Sequence, residues 1–361
     1  MSAFPAGEPA GTVTITPLGG IPEVHEGDDL TTLIGLGLSA SGVQLRDGDV
    51  VVVSSKIASK ALGLVTDDPD KDRVVAGETE YVVAERSLPG RVTRVVRSKA
   101  GPIMAAAGVD GSNTGDRGGW LLLPHDPDGV CERLHDGLTN RYRVRLGVVL
   151  SDTSARPWRL GHSDFALGAH GLHVVDDLRG AVDADGRELS VTTRAVADEI
   201  AAAADLAKGK TGAVPVAVVR GLATLLVDGD PRSHPRGRDL VRTGPHDWFG
   251  HGRVEAVRAA LGVVPGSEES VAVGIPPSEP GQDQLEAVGR AVRLALHGLD
   301  SGTADIGQLS VTLGAETPFE LGWLSARLHV ALWSEWLEGS AGSPSADGAS
   351  LVVAIAARST P

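Results

Sequence analysis

Short apolar runs closed by turn residues recur along the first part of the chain. Three of them are continuous, over Val50–Val53, Leu146–Leu150 and Pro215–Val219. Runs of this kind are typical of strands buried on both faces. Residues Thr12–Pro17 alternate between apolar and polar instead, which also predicts a strand. The pattern therefore predicts at least four strands in the first part of the chain.

Apolar residues spaced three and four apart predict the helices. The clearest example spans Leu189–Lys208, with Gly209 suited to end it. Another is expected from Leu30, directly after two aspartates that favour a helix start. Residues Glu78–Arg86 are also predicted to be helical, and Arg91–Val96 to form a strand.

The part of the chain beyond Val264 has a simpler pattern. A segment rich in Pro, Ser and Glu, with a short strand over Val271–Ile275, predicts a boundary. The elements expected after it are a helix over Gln284–Leu299, a strand over Leu309–Leu313, a helix from the capping box Thr317–Glu320 to Gly339, and a strand over Leu351–Ala356. The chain is therefore predicted to be mixed α/β, with a loose tail (residues 1–10), a main region (11–262), a linker with a first strand (263–280) and a small α/β module (281–361).

Composition narrows the class of protein. The formal net charge of −14 argues against general nucleic-acid binding, which normally requires a basic surface. The single cysteine, Cys131, excludes an intramolecular disulfide and a cysteine-based zinc site. Neither a signal peptide nor an apolar run long enough for a membrane helix is recognisable, so we expect a soluble, cytoplasmic protein.

Polar residues follow two of the buried strands. Asp152 and Thr153 come after Leu146–Leu150, where open α/β sheets place their ligands, and hard cations such as Mg²⁺ prefer oxygen ligands. These two residues are therefore candidates for a metal–phosphate site. The alternative is that they only cap the next element.

The strand Val50–Val53 is followed by Ser54-Ser55-Lys56-Ile57-Ala58-Ser59-Lys60. Hydroxyl and ammonium groups of this kind suit a triphosphate, although the segment is not a Walker P-loop. The alternative is a solvated turn before a helix. A further tight loop, Asp110–Asn113, gathers carboxylate and amide groups and is either a structural turn or a metal loop. His170 and His173 form a close histidine pair, which we interpret as ordinary polar residues because their spacing is wrong for a helical zinc pair.

Six motifs occur in order along the chain: G-G-I-P-E, V-V-V-S-S-K-I-A-S-K, A-A-G-V-D-G-S-N, S-D-T-x-x-R-P-W-R, A-V-A-D-E-I-A-A-A-A-D-L-A-K-G-K and P-V-A-V-V-R-G. Together they resemble the coenzyme F-420:L-glutamate ligase family over roughly residues 12–262. The resemblance implies a GTP-dependent enzyme that adds L-glutamate to the deazaflavin coenzyme F-420-0, building a γ-linked tail through an acyl phosphate and releasing GDP and phosphate. It also implies a two-part fold that forms an intertwined homodimer.

The resemblance also implies site residues. It implies Asp110, Asp152 and Thr153 as ligands of Mg²⁺ or Mn²⁺, with K⁺ as a further candidate ion. The nucleotide-binding positions that it implies are Ile21, Pro22, Glu23, Val24, Ser55, Lys60 and Asn113. Lys60, Asp110 and Asp152 are the expected catalytic residues. We add Arg156, Arg159, Lys208 and Lys210 as candidates for binding the anionic coenzyme tail or glutamate.

Some residues depart from the family pattern. Ser154-Ala155 stands in place of Met-Gly, and Gly161-His162-Ser163-Asp164 in place of Gly-Gln-Thr-Asp. Two alternatives therefore stay open: the same chemistry on a different acceptor, and a non-catalytic binding or scaffold protein. The segment after Val264 is too short for the flavin-binding domain that some members carry, so no flavin is expected.

Overall fold

The structure, a computed structural model, describes residues 11–114, 118–244, 247–278 and 283–358, so the tail predicted for residues 1–10 lies outside the described residues. The helices are α1 (Leu30–Ala40), α2 (Ser55–Ala61), α3 (Lys71–Gly77), α4 (Pro127–Tyr142), α5 (Val196–Lys208), α6 (Arg253–Ala260), α7 (Glu268–Val273), α8 (Gln284–Leu296) and α9 (Pro318–Ser334). The strands are β1 (Thr14–Pro17), β2 (Asp49–Ser54), β3 (Val65–Thr66), β4 (Thr79–Leu88), β5 (Arg91–Ser98), β6 (Ile103–Ala105), β7 (Trp120–Leu121), β8 (Leu146–Arg156), β9 (Arg159–His170), β10 (Asp176–Asp177), β11 (Thr193–Arg194), β12 (Val216–Arg220), β13 (Thr303–Ile306), β14 (Ser310–Gly314), β15 (Leu337–Ala341) and β16 (Ser350–Ala357). The mixed α/β class is confirmed.

Two compact units make up the chain. The first contains residues 1–79 and 98–242, and the second contains residues 80–97 and 243–361. The second unit therefore begins before the linker predicted at 263–280. It also includes a hairpin from within the region predicted as 11–262. A sequence pattern could not indicate this division, because the hairpin and the rest of its unit are far apart along the chain.

A five-stranded sheet with the order β1-β12-β2-β8-β9 forms the centre of the first unit. Strands β2 and β8 run parallel, and the other neighbours are antiparallel. Along β2, Val51 and Val53 lie in one core with residues of α1 and α4, while Val50 and Val52 lie in another core with residues of α5. Both faces are covered, which explains four successive valines and confirms the predicted buried strand.

Strand β8 does not end at Leu150. It continues to Arg156 and pairs with β9, with a register shift between Leu150 and Ser151. Asp152 and Thr153 thus lie within a hairpin strand, so their predicted position beyond a strand end is wrong, and they cap no following element. The apolar run stops because the outer half of β8 leaves the buried centre of the sheet and becomes exposed.

Helix α5 begins at Val196, so its predicted start at Leu189 is wrong. Instead, Thr193–Arg194 forms a short antiparallel pair with Asp176–Asp177. The β-branched residues of this segment favour an extended backbone over a helix. Gly209 ends the helix, as predicted.

The second unit has a four-stranded antiparallel sheet with the order β13-β14-β16-β15. Helices α8 and α9 share one apolar core with this sheet. The capping box at the start of α9 is confirmed: Thr317 accepts from the backbone of Glu320 and donates its own N–H to that carboxylate at 3.0 Å. The helix ends at Ser334 rather than Gly339, because the chain from Leu337 forms β15. No helix in the described part of the chain is both long and apolar enough to cross a membrane.

Two predicted elements have the opposite secondary structure. Residues Glu78–Arg86, predicted to be helical, lie largely in strand β4, which neighbours β5. Thr, Tyr and Val side chains in this stretch favour extended backbone, and Pro89-Gly90 supplies the turn. The strand predicted over Val271–Ile275 is wrong as well, because α7 (Glu268–Val273) occupies it, with Ser267 as N-cap.

A close backbone approach requires glycine at position 168 in β9. A Cβ there would lie 2.6 Å from the backbone carbon and oxygen of Pro127, at the start of α4. We expect Gly168→Ala to destabilise the fold by about 1–3 kcal/mol, measured by urea denaturation, since backbone cannot yield as a flexible side chain can. Gly212→Ala is the matched control, because its Cβ would meet only contacts of 3.8 Å or more. Equal stabilities of the two variants would contradict this expectation.

Candidate active site

Strands β2 and β8 bring the two polar segments of the sequence together. Their parallel register sets Ser54 opposite Ser151. Strand β2 ends there, and α2 begins at the next residue, Ser55, which is only 1% exposed. The hydroxyl of Ser55 donates to Asp152 Oδ1 at 2.9 Å. Two segments that were singled out separately from the sequence therefore meet at one point.

The loop around Asp110 is tied to helix α2. Its turn is built by Asn113, whose φ of +59° is a left-handed conformation that asparagine tolerates. Asp110 accepts from the backbone N–H and the hydroxyl of Ser112, both at 2.9 Å, and pairs with Lys56 Nζ at 2.6 Å. Burial on its own would raise the pKa of Asp110, but the bonds from Lys56 and Ser112 outweigh burial and lower it.

The segment Ile21–Val24 packs against α1. A Cβ at Gly37 would lie 2.7 Å from Ile21 Cγ1, so this contact requires a glycine in the helix. Glu23 points outward and pairs with Lys60 near the end of α2. The Lys60 side chain is 13% exposed, whereas that of Glu23 is 62% exposed. The ammonium group is therefore held in place, and its anionic partner is the exposed member of the pair.

The sequence pattern does not predict the polar network that surrounds Asp164. Asp164 of β9 accepts from the Ser151 hydroxyl at 2.9 Å and the Thr153 hydroxyl at 2.6 Å. It also pairs with Lys208 at 3.0 Å and Lys210 at 2.9 Å. The pairing of β8 with β9 brings Asp164 opposite Thr153, and the signal in the sequence is an aspartate directly before the apolar residues 165–169. Asp164 fixes the strand that carries Asp152.

Burial and pairing push the pKa values of two nearby aspartates apart. Burial raises the pKa of Asp152 to about 6, and the negative charge of Asp164 adds to this effect despite the bond from Ser55. Burial would also raise the pKa of Asp164, but Lys208, Thr153 and Lys210 together lower it to about 2. Pairs of titratable groups with such divergent pKa values are typical of active sites.

The donor set fits a hard divalent cation. Asp110 and Asp152 offer carboxylates, which are oxygen ligands that Mg²⁺ and Mn²⁺ prefer. Thr153 offers a hydroxyl oxygen that already accepts from Lys210 and has one lone pair left for an ion. Asp152 has no ion-pair partner within 4 Å among the residues that the structure describes. A largely buried carboxylate without a cation is costly, and a bound metal ion would compensate its charge.

The four basic candidates for an anionic substrate lie in two settings. Arg156 and Arg159 are exposed and opposite each other, on either side of the turn that joins β8 to β9. Lys208 is 5% exposed and donates to Ser151, so it supports the sheet and does not present a free ammonium to a substrate. Lys210 is half exposed and bonds to the Thr153 hydroxyl at 2.7 Å, beside the proposed metal ligands.

Comparison with known proteins identifies the family. The family model described as F420-0:gamma-glutamyl ligase matches residues 20–221, more than half of the chain. The chain is 38% identical over 225 residues to the coenzyme F420:L-glutamate ligase of Archaeoglobus fulgidus, covering 58% of this chain and 88% of that protein. It is 38% identical to the enzyme of that name from Haloarcula marismortui, covering 63% and 95%, and 35% identical to that of Methanothermobacter thermautotrophicus, covering 62% and 96%. The chain therefore belongs to the F420-0:gamma-glutamyl ligase family.

Proposed function

We propose that this protein is a GTP- and divalent-metal-dependent ligase that adds L-glutamate to coenzyme F420-0. The names of its relatives supply the substrate class. The observation that carries the proposal is the partly buried Asp152, which bonds to Ser55 of α2 and has no ion-pair partner within 4 Å in the described chain, while the next residue of α2, Lys56, pairs with Asp110. The raised pKa of Asp152 is consistent with a site for a cation. The choice of GTP rests on the family resemblance.

The chemistry solves one problem, which is that a carboxylate is a poor electrophile. An oxygen of the acceptor carboxylate attacks the γ-phosphorus of GTP, and GDP leaves. The glutamate amine then attacks the acyl carbon of the resulting acyl phosphate, inorganic phosphate leaves, and the amine gives up a proton as the amide forms. Phosphoryl transfer of this kind depends on positioning and on neutralising charge.

Different residues of the chain would bind the metal ion and the nucleotide. Asp110, Asp152 and Thr153 would hold Mg²⁺ or Mn²⁺, which would neutralise phosphate charge. Lys60 would exchange its partner Glu23 for phosphate oxygens, since the Lys60 side chain is largely buried and that of Glu23 is exposed. Ile21–Val24 and Asn113 would border the nucleotide, and K⁺ remains a further candidate ion.

A different acceptor is the second candidate function. The departures from the family pattern, Ser154-Ala155 and Gly161–Asp164, lie on the paired strands β8 and β9, and Ser154 pairs with Ser163 directly beside Thr153. Residues at this place can alter which carboxylate is accepted without changing the proposed metal ligands. The homodimer also remains a proposal, which is supported by the exposed Trp158 and Leu160 at the end of the same hairpin.

Product mass tests the proposal directly. We expect incubation with F420-0, L-glutamate, GTP and Mn²⁺ to raise the mass of the coenzyme by whole glutamyl residues, with GDP formed in equal amount. Asp152→Ala should give no product, whereas Asp185→Ala, at an exposed aspartate, is the matched control and should behave like wild type. Absence of product while GTP still binds would favour another acceptor. Absence of both product and GTP binding would favour the scaffold alternative.

A further inference from the structure

Two histidines and an aspartate meet in the first unit, apart from the residues assigned above. His135 and Asp136 lie on α4, and His170 is the last residue of β9. One ligand atom from each residue lies within 4.8 Å of the others. The two imidazole rings are edge to face, with centroids 4.8 Å apart. The sequence pattern drew attention to His170 with His173, but the contact across the fold is with His135.

His170 has an unsatisfied nitrogen. The residue is only 4% exposed, and its Nδ1 is buried without a hydrogen-bond partner among the residues that the structure describes. Leaving such a group unpaired costs about 1–3 kcal/mol. Burial, followed by the nearby His135, lowers the pKa of His170, which favours the neutral imidazole that metal binding requires.

The surroundings hold these side chains in place. A Cβ at Gly171 would lie 2.8 Å from His135 Cδ2, so the glycine lets the chain after β9 come close to the ring. His135 Nδ1 lies 3.1 Å from Asp136 Oδ1. Arg232 pairs with Asp136 at 3.5 Å and with Glu132 at 2.6 Å, which orients the carboxylates on this face of α4.

We propose that His135, Asp136 and His170 bind a divalent transition metal of the Zn²⁺ class, which would fasten helix α4 to strand β9. Two imidazoles and one carboxylate are a donor set that suits Zn²⁺ and leaves a position for water. The oxygen donors around Asp152 suit Mg²⁺ or Mn²⁺ instead, so the two sites differ in the metal they prefer. This site does not depend on the proposed ligase activity.

The test uses the full chain carrying Asp152→Ala, so that the oxygen site does not contribute, after removal of metals with a chelator. We expect this protein to bind Zn²⁺ stoichiometrically by calorimetry, to show a rise in melting temperature with Zn²⁺, and to give visible absorption bands with Co²⁺. Adding His170→Gln should weaken Zn²⁺ binding about 100-fold or more and remove the melting shift. Adding His251→Gln, an exposed histidine, is the matched control and should change neither.

A second variant covers the case in which His170→Gln does not fold, as judged by circular dichroism. His135→Gln alters a partly exposed ring and should cause the same loss of Zn²⁺ affinity. The proposal is overturned if the Asp152→Ala protein binds no Zn²⁺, or if its binding is unchanged in a folded histidine variant. Ligase activity of the wild-type chain is measured separately, so failure here leaves the proposed function untouched.

Discussion

Replacing Asp152 with asparagine should abolish glutamate addition and at the same time stabilise the metal-free protein at pH 7. The rate should fall by about 10³-fold or more, because a metal ligand is lost and the ion supplies several kcal/mol of charge stabilisation. Product mass against time measures the first effect. Urea denaturation in the presence of a chelator measures the second.

The expected stabilisation follows from the sign of the pKa shift. The pKa of Asp152 is about 6 in the folded chain, above its ordinary value of 3.8, so the folded state holds the proton more tightly. This residue therefore costs stability as the pH rises from about 4 to about 6, and the full cost remains at pH 7. Two pKa units correspond to about 3 kcal/mol, which is the upper limit of the gain expected for Asp152→Asn.

The pH dependence separates this explanation from a general effect of the substitution. The stability gain of Asp152→Asn should be large at pH 7 and should largely disappear near pH 4, where the wild-type carboxyl is protonated in the folded protein. Asp185→Asn, at an exposed position, should show no such gain at either pH. If Asp152→Asn retained activity within about tenfold of wild type, Asp152 would not be a ligand of the catalytic metal.

Breaking the buried pair of Asp164 and Lys208 should have the largest effect on the fold. Both side chains are 4% exposed and their charged atoms lie 3.0 Å apart. Asp164→Asn leaves the Lys208 ammonium buried without its counter-charge, and loss of one partner of such a pair costs about 3–5 kcal/mol. Urea denaturation at pH 7 measures this cost. Activity should fall as well, since Thr153 loses the charge that orients its hydroxyl.

Acid should reveal the same interaction in the wild-type protein. The pKa of Asp164 is lowered to about 2, so its contribution is complete above about pH 4 and is lost as the pH falls through about 2. Asp164→Asn should lack this part of the acid sensitivity. The double variant Asp164→Asn with Lys208→Met removes both charges and should recover much of the lost stability at pH 7. A double variant no more stable than Asp164→Asn would show that the cost does not come from an unpaired charge.

The sequence was sufficient where local physics decides the structure. The four successive valines of β2 favour a strand covered on both faces, and the Thr317 capping box marks the start of α9, as the structure confirms for both. Ser55 and Lys56 could be singled out as polar groups at the end of a buried strand, and the structure brings them to Asp152 and Asp110. The roles of these residues in catalysis stay predictions.

Elsewhere, contacts between residues that are far apart in the sequence determine the structure. Residues Glu78–Arg86 have apolar positions compatible with either helix or strand, and the hairpin with β5 selects the strand. Asp164 was inconspicuous because a carboxylate in a strand gives no sign of two lysines that follow it by more than 40 residues. The sequence predicts a substrate-binding role for Lys208, because it does not show that α5 packs against the sheet and buries this side chain.

The divided second unit has a consequence for how the protein is made. Glu85, in the hairpin of residues 80–97, is 2% exposed and its carboxylate accepts from the Ser270 hydroxyl and from the Gly266 backbone. Ser270 follows Glu85 by 185 residues, so at ribosomal speeds of about 5–20 residues per second the hairpin waits about 10–40 s for these partners. During synthesis the Glu85 carboxylate is therefore exposed to water, although it is buried in the complete fold. A chain cut after residue 262, where the family resemblance ends, would leave it in that state permanently.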